Sequence, residues 1–274
     1  VRSALLSLAL TAVALAASAA TSSPTTPRSF DGERITWQVR YAGLNAGTAW
    51  AEASESADGR LVIEGGARNA PWYGKLFSID DFVRSTSRQG DGSLRYETRF
   101  REGGFHQDQD MQRTDAGFVV QRGQRIDDEW RQWERSYDST PGCEDPISAV
   151  HRLRTLADAE LQPLDEGRGW SFPVFSGDRT WPLIVTWTDT ETVDAGPLGA
   201  VQARVLDLHT GHRGMLEQRG RFRVWLTDDD ARVPVKLVVK SNFGAIRALL
   251  ADYRPPRTAS PVDAATDAAG SAIR

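Results

Sequence analysis

Ile35-Thr36-Trp37-Gln38-Val39-Arg40-Tyr41 is the stretch whose reading decides the fold. Apolar Ile35, Trp37, Val39 and Tyr41 alternate with polar Thr36, Gln38 and Arg40. Successive side chains of an extended chain point to opposite faces, so this pattern is a half-buried strand. The same period returns in Trp181, Leu183, Val185 and Trp187. It returns again in Val233, Val235, Leu237 and Val239, with Lys236 and Lys240 on the other face.

Working outward, further strands are expected at 48–54, 61–65, 82–86, 94–101, 105–112, 118–121, 201–208, 220–226 and 246–253. Turn signals such as Asp58-Gly59, Asp91-Gly92 and Asp115-Ala116-Gly117 separate them. Short polar turns between strands imply antiparallel meanders. Gly43 and Gly47 flank one connection, where positive φ is often required. Pro234 cannot donate to a ladder, so its strand is expected at an edge or with its nitrogen outward.

One helix interrupts the pattern. Asp145 stands at an N-cap position and Pro146 at the first helical position. Ile147, Val150, Leu153 and Leu156 then form an apolar stripe, leaving His151, Arg152 and Arg154 off it. Short helical turns are also expected near Trp72–Phe77. The fold class is therefore mainly β: a single antiparallel, strongly curved sheet, an open barrel or half-barrel, with one packed helix near 145–157.

Residues 1–19 read as a signal peptide: Val1-Arg2-Ser3, an apolar run, then Ala17-Ser18-Ala19. The run is shorter than the roughly 20 residues of a spanning helix. A flexible lead-in at 20–30, one β-rich domain at 31–253 and a disordered tail at 254–274 complete the expected organisation. The expected location is periplasmic, exported and soluble, with no transmembrane segment in the mature chain and no cofactor. A net charge of −4 argues against nucleic acid. The single cysteine, Cys143, excludes an intrachain disulfide.

Three segments carry a family resemblance. The first is Trp37-Gln38-Val39-Arg40-Tyr41-Ala42-Gly43-Leu44-Asn45-Ala46-Gly47. The second is Asp145-Pro146-Ile147-Ser148-Ala149-Val150-His151-Arg152-Leu153-Arg154. The third is Val224-Trp225-Leu226-Thr227-Asp228-Asp229-Asp230-Ala231-Arg232-Val233-Pro234-Val235, followed by Phe243-Gly244. In this order the chain resembles the exported proteins catalogued as domain of unknown function 3108. The resemblance implies a mostly β protein exported in Gram-negative bacteria, with no assigned activity. It also implies an architecture similar to the open curved sheets of periplasmic lipoprotein carriers, a likeness of fold that carries no function.

Candidate chemistry is sparse. No Gly-x-Ser-x-Gly elbow, phosphate loop or paired-thiol motif is present. His106, Asp108 and Asp110 share one strand face at period two and are the metal-ligand candidates. His209 and His212 form a second pair, and Asp228–Asp230 an acidic run that reads more simply as a hairpin turn. Cys143 sits just before the helix, where a thiol pKa is lowered. Ser148 and His151 lie one helical turn apart but lack an orienting acid. Asp80 and Asp81 point to opposite faces and so do not pair.

The nine tryptophans carry the other signal. Phe222, Val224 and Leu226 share one face of their strand and Trp225 the other. Trp37, Tyr41, Trp187 and Trp225 are accordingly the expected ligand-binding residues. The functional expectation is non-enzymatic binding of an apolar envelope ligand, a lipid or acylated molecule, in a concave sheet face. The alternatives are a protein-interaction factor in envelope assembly with an envelope protein as partner, and a metal-dependent hydrolase.

Overall fold

Period-two alternation and tight turns build one long meander. The computed structural model describes residues 28–74, 78–164, 167–210, 222–241 and 244–257. Eight strands precede the main helix: β1 (Arg34–Tyr41), β2 (Leu44–Glu55), β3 (Arg60–Asn69), β4 (Asp80–Arg88), β5 (Gly92–Glu102), β6 (Phe105–Thr114), β7 (Gly117–Ile126) and β8 (Glu129–Tyr137). Seven follow it: β9 (Gln162–Leu164), β10 (Gly167–Ser176), β11 (Arg179–Asp194), β12 (Ala200–Thr210), β13 (Phe222–Thr227), β14 (Pro234–Ser241) and β15 (Gly244–Arg254). A short helix, α1 (Pro71–Gly74), the longer α2 (Pro146–Thr155) and two 3-10 turns, Asp158–Glu160 and Gly196–Leu198, complete the order.

All fifteen strands join one sheet in the order 8-7-6-5-4-3-2-1-15-14-13-12-11-10-9. Every neighbouring pair is antiparallel, and β1–β15 joins the two halves. The edge strands β8 and β9 do not pair with each other, so the barrel-like sheet stays open. Residues 143–144 tie the halves instead. Ser93 N donates to Cys143 O at 2.8 Å, and Glu144 exchanges bonds with Pro173 O and Phe175 N on β10.

The helix lies within the curve of the sheet. Ala149, Leu153 and Leu156 pack with Val39, Ala49, Ala67, Phe172, Val185, Leu206, Val224 and Ile246 from both halves. Ile147 joins a second cluster with Val83, Tyr96, Phe100, Met111 and Val120. A third cluster of Ile35, Val205, Trp225, Val235 and Leu250 lies under the long β11–β12 hairpin.

Asp145 caps α2 as expected, and its cap is unusually complete. One carboxylate oxygen accepts the backbone N–H groups of Ile147 and Ser148; the other accepts the hydroxyls of Ser85 and Ser93 at 2.5 and 2.6 Å. Ser148 Oγ accepts in return from Asp145 N, closing a capping box.

The structure changes or adds to four expectations. His151 and Arg154 lie off the apolar stripe as read, and both are buried, against Phe30 and Glu33 respectively. Phe30, assigned to the flexible lead-in, is buried with its ring edge-on to His151 at 5.2 Å. Pro234 is the first residue of a central strand beside a bulge, where its missing N–H is also tolerated. Gly43 has the expected positive φ of 84°, whereas Gly47 serves a close approach: a Cβ there would lie 2.2 Å from Arg68 O. The expected signal peptide, residues 20–27, 75–77 and 258–274, His212 and Phe243 lie outside the described residues.

Candidate functional site

Of the four aromatic residues expected to hold an apolar ligand, Trp37, Trp187 and Trp225 make indole hydrogen bonds within the fold, and Trp37 packs against both the helix-side and the third cluster. Trp37 donates from its indole nitrogen to Pro234 O at 2.7 Å. Trp187 donates to Asp189 O at 2.9 Å and lies 4.5 Å beneath the Arg204 guanidinium. Trp37, Tyr41 and Trp187 all pack against the helix-side cluster. Trp225 faces the other way, into the third cluster; its indole donates to Glu191 at 2.9 Å, and the Lys236 ammonium sits 3.9 Å over the ring. On the expected concave face, α2 packs with residues from both halves of the sheet.

A groove of about 630 Å³ lies elsewhere, across β4–β8. Alternation buries Val83, Tyr96, Met111 and Val120 of these strands, and the intervening residues form the groove on the opposite face. Strand register arranges them in two rows. One row runs Phe82, Arg99, Asp108, Gly123, Gln132; the other runs Glu97, Asp110, Gln121, Glu134. Trp130 reaches over Gly123 and is 42% exposed. A Cβ at Gly123 would lie 2.5 Å from the Trp130 ring, so glycine is what lets the indole approach β7 this closely. Arg101 sits 5.9 Å from that ring and Arg99 5.6 Å from the Phe82 ring.

The metal candidates fall on this face. His106, Asp108 and Asp110 are consecutive on one side of β6, as period two requires. Arginines hold both carboxylates: Arg101 contacts Asp108 at 2.6 Å, and Arg95 grips Asp110 through two bonds of 2.9 and 2.8 Å. Among the described residues, no three His, Cys, Asp or Glu side chains converge as a metal group.

The remaining candidates are structural. Asp228 pairs with Arg204, and Asp229 accepts from Thr227 Oγ1 and Arg232 N, so the acidic run forms the β13–β14 turn. Cys143 is buried, and burial pushes its thiol up to about 11, the reverse of activation. Ser148 is used by the cap, while His151 faces Phe30; the two do not form a nucleophile–base pair. Asp80 binds Arg68 at the surface and Asp81 is buried, on opposite faces as expected.

The model of the family described as "Protein of unknown function (DUF3108)" matches residues 36–251. The chain belongs to this family. No curated protein matches this DUF3108 chain. Among solved structures it is similar to a beta-barrel-like protein of domain of unknown function DUF1849 from Brucella abortus. The identity is 12% and the TM-score 0.54, covering 82% of this chain and 98% of that one, a likeness of fold alone. Among the described residues, no helix of this DUF3108 protein is long and apolar enough to cross a membrane.

Phe82, Trp130, Gln132 and Glu134 are among the groove residues that sequence reasoning missed. The detectable signal was the pair of tryptophans Trp130 and Trp133 within an otherwise charged segment, Glu129 to Arg135.

Proposed function

We propose that this protein is a non-enzymatic binding protein of the exported compartment, and that it holds an envelope saccharide in the β4–β8 groove. The observation that carries the reading is the part-exposed Trp130 ring packed close against Gly123, bordered by amide, carboxylate and guanidinium groups. A sugar ring offers an apolar C–H face and a rim of hydroxyls. The first suits an aromatic plane; the second suits Gln121, Gln132, Glu134 and Arg99, which together supply donors and acceptors.

Other ligand classes fit less well. An acyl chain would lie against Glu97, Asp110 and Glu134, and removing charged groups from water for an apolar partner is costly. A phosphate-rich ligand would meet the same carboxylates. Arginines pair with Glu97, Asp108 and Asp110, and the Gln121 amide donates to Glu134, which favours binding over metal or acid–base chemistry.

The test is a saccharide panel titrated against the wild-type chain and Trp130→Ala. Binding that falls at least tenfold in the variant, with unchanged melting temperature, supports the reading. Equal binding by both, or no binding by the wild type to any saccharide, overturns it. The motivation for export is the amino-terminal signal pattern; fractionation of cells expressing the tagged chain tests it.

A further inference from the structure

The two edges of the sheet differ sharply. β9 is three residues long, and shortness protects an edge from adventitious pairing. β8 has nine residues, Glu129-Trp130-Arg131-Gln132-Trp133-Glu134-Arg135-Ser136-Tyr137, pairs only with β7, and contains neither proline nor lysine. Its outer backbone edge has no partner among the described residues.

Charge decides what fits that edge. In an antiparallel pair about a two-fold axis, one residue faces its own counterpart and the others pair symmetrically around it. Centring on Arg131, Glu134 or Arg135 sets like charges directly opposite. Centring on Trp133 sets Arg131 against Arg135. Centring on Gln132 sets Glu129 against Arg135 and Arg131 against Trp133, both favourable, and Trp130 against Glu134 without a like-charge clash. Only this register, of those overlapping at least five strand residues, places no like charges opposite each other.

We infer that a second copy of this chain pairs with β8 along its free edge, in the register centred on Gln132. Trp130, Gln132 and Glu134 already line the groove, so the second copy adds its own Gln132 and Glu134 to the open side. Two grooves then become one continuous face. This pairing needs no ligand, so it stands or falls separately from the saccharide reading.

The experiment is sedimentation equilibrium of the chain lacking residues 1–19, from low to high micromolar concentration without saccharide, together with oxidation of two single variants. Gln132→Cys is expected to form an interchain disulfide in high yield. Trp133→Cys is not, because in this register two such residues sit diagonally, beyond the Cα separation of about 7 Å that a disulfide spans. Native Cys143 is buried and serves as the internal control. Both positions lie on an edge strand, and circular dichroism of the reduced variants checks their fold. A chain that stays monomeric throughout overturns the inference. So does a dimer in which Gln132→Cys fails to crosslink or Trp133→Cys crosslinks equally well.

Discussion

Arg154 and Glu33, 121 residues apart, form a buried two-bond ion pair of 2.5 and 2.7 Å. Their side chains are 0% and 1% exposed. Arg154 also donates to Ala231 O and Arg232 O, and Tyr253 donates to Glu33 at 3.1 Å. One guanidinium thus joins the helix to the start of β1 and to the β13–β14 turn. Burial pushes the Glu33 carboxyl up, but the Arg154 bonds outweigh it and hold the pKa below its ordinary value.

Arg154→Ala leaves that carboxylate buried and unpaired. The expected cost is about 3–5 kcal/mol in urea unfolding. Glu33→Gln keeps an acceptor for the guanidinium and should cost less. Equal stability of Arg154→Ala and wild type would show that the pair does not hold the helix in place.

Asp145→Ala removes the acceptor of four donors at once. The expected loss is about 3 kcal/mol, beyond an ordinary cap, because the Ser85 and Ser93 hydroxyls are left buried without a partner. Ser85→Ala with Ser93→Ala in the Asp145→Ala background should recover part of that loss. Denaturant midpoints of the wild type, the single variant and the triple variant check it.

His151 gives a pH prediction. Burial first, then the Arg154 charge, lowers its pKa from 6.5 to about 3. The unfolded chain therefore binds a proton that the folded chain refuses between those values. Stability is full above about pH 6.5 and falls toward pH 3, by up to about 1.4 kcal/mol per pH unit. Loss of the Glu33 pair acts in the same direction. His151→Gln should flatten the slope by about one proton, whatever it does to absolute stability; an unchanged slope would assign the acid loss to other groups.

Gly123→Ala addresses the groove without touching the core. Its Cβ would collide with the Trp130 ring, so the indole must lift off β7. Saccharide affinity is expected to drop about tenfold with little change in melting temperature. Retained affinity would mean that the ring's position on Gly123 is not what the ligand uses.

Most of the architecture was legible because one face of most strands is buried, which writes period two into Ile35–Tyr41, Trp181–Trp187 and Val233–Val239. The helix was legible through Asp145, Pro146 and its stripe. β8 was not, for the reason that makes it interesting: an edge strand exposed on both faces has no apolar alternation to read. Trp170, Phe172 and Val174 of β10 do alternate, but Pro173 within them argues against a strand; it is accommodated opposite Pro182. The groove escaped because it is made by register. Phe82, Arg99, Asp108, Gly123 and Gln132 come from five strands, and no spacing along the chain marks them as neighbours. The same holds for the arginines that neutralise the metal candidates: Arg101 and Arg95 reach Asp108 and Asp110 across the β5–β6 pair.

The most direct measurement is the indole N–H spectrum of the nine tryptophans during titration with the saccharide panel. The Trp130 signal is predicted to move with ligand, while those of Trp37 and Trp170, held to Pro234 O and Ala157 O inside the fold, stay in place. Shifts confined to Trp37, Trp170 or Trp187, or a Trp130 signal indifferent to every saccharide, would contradict the account.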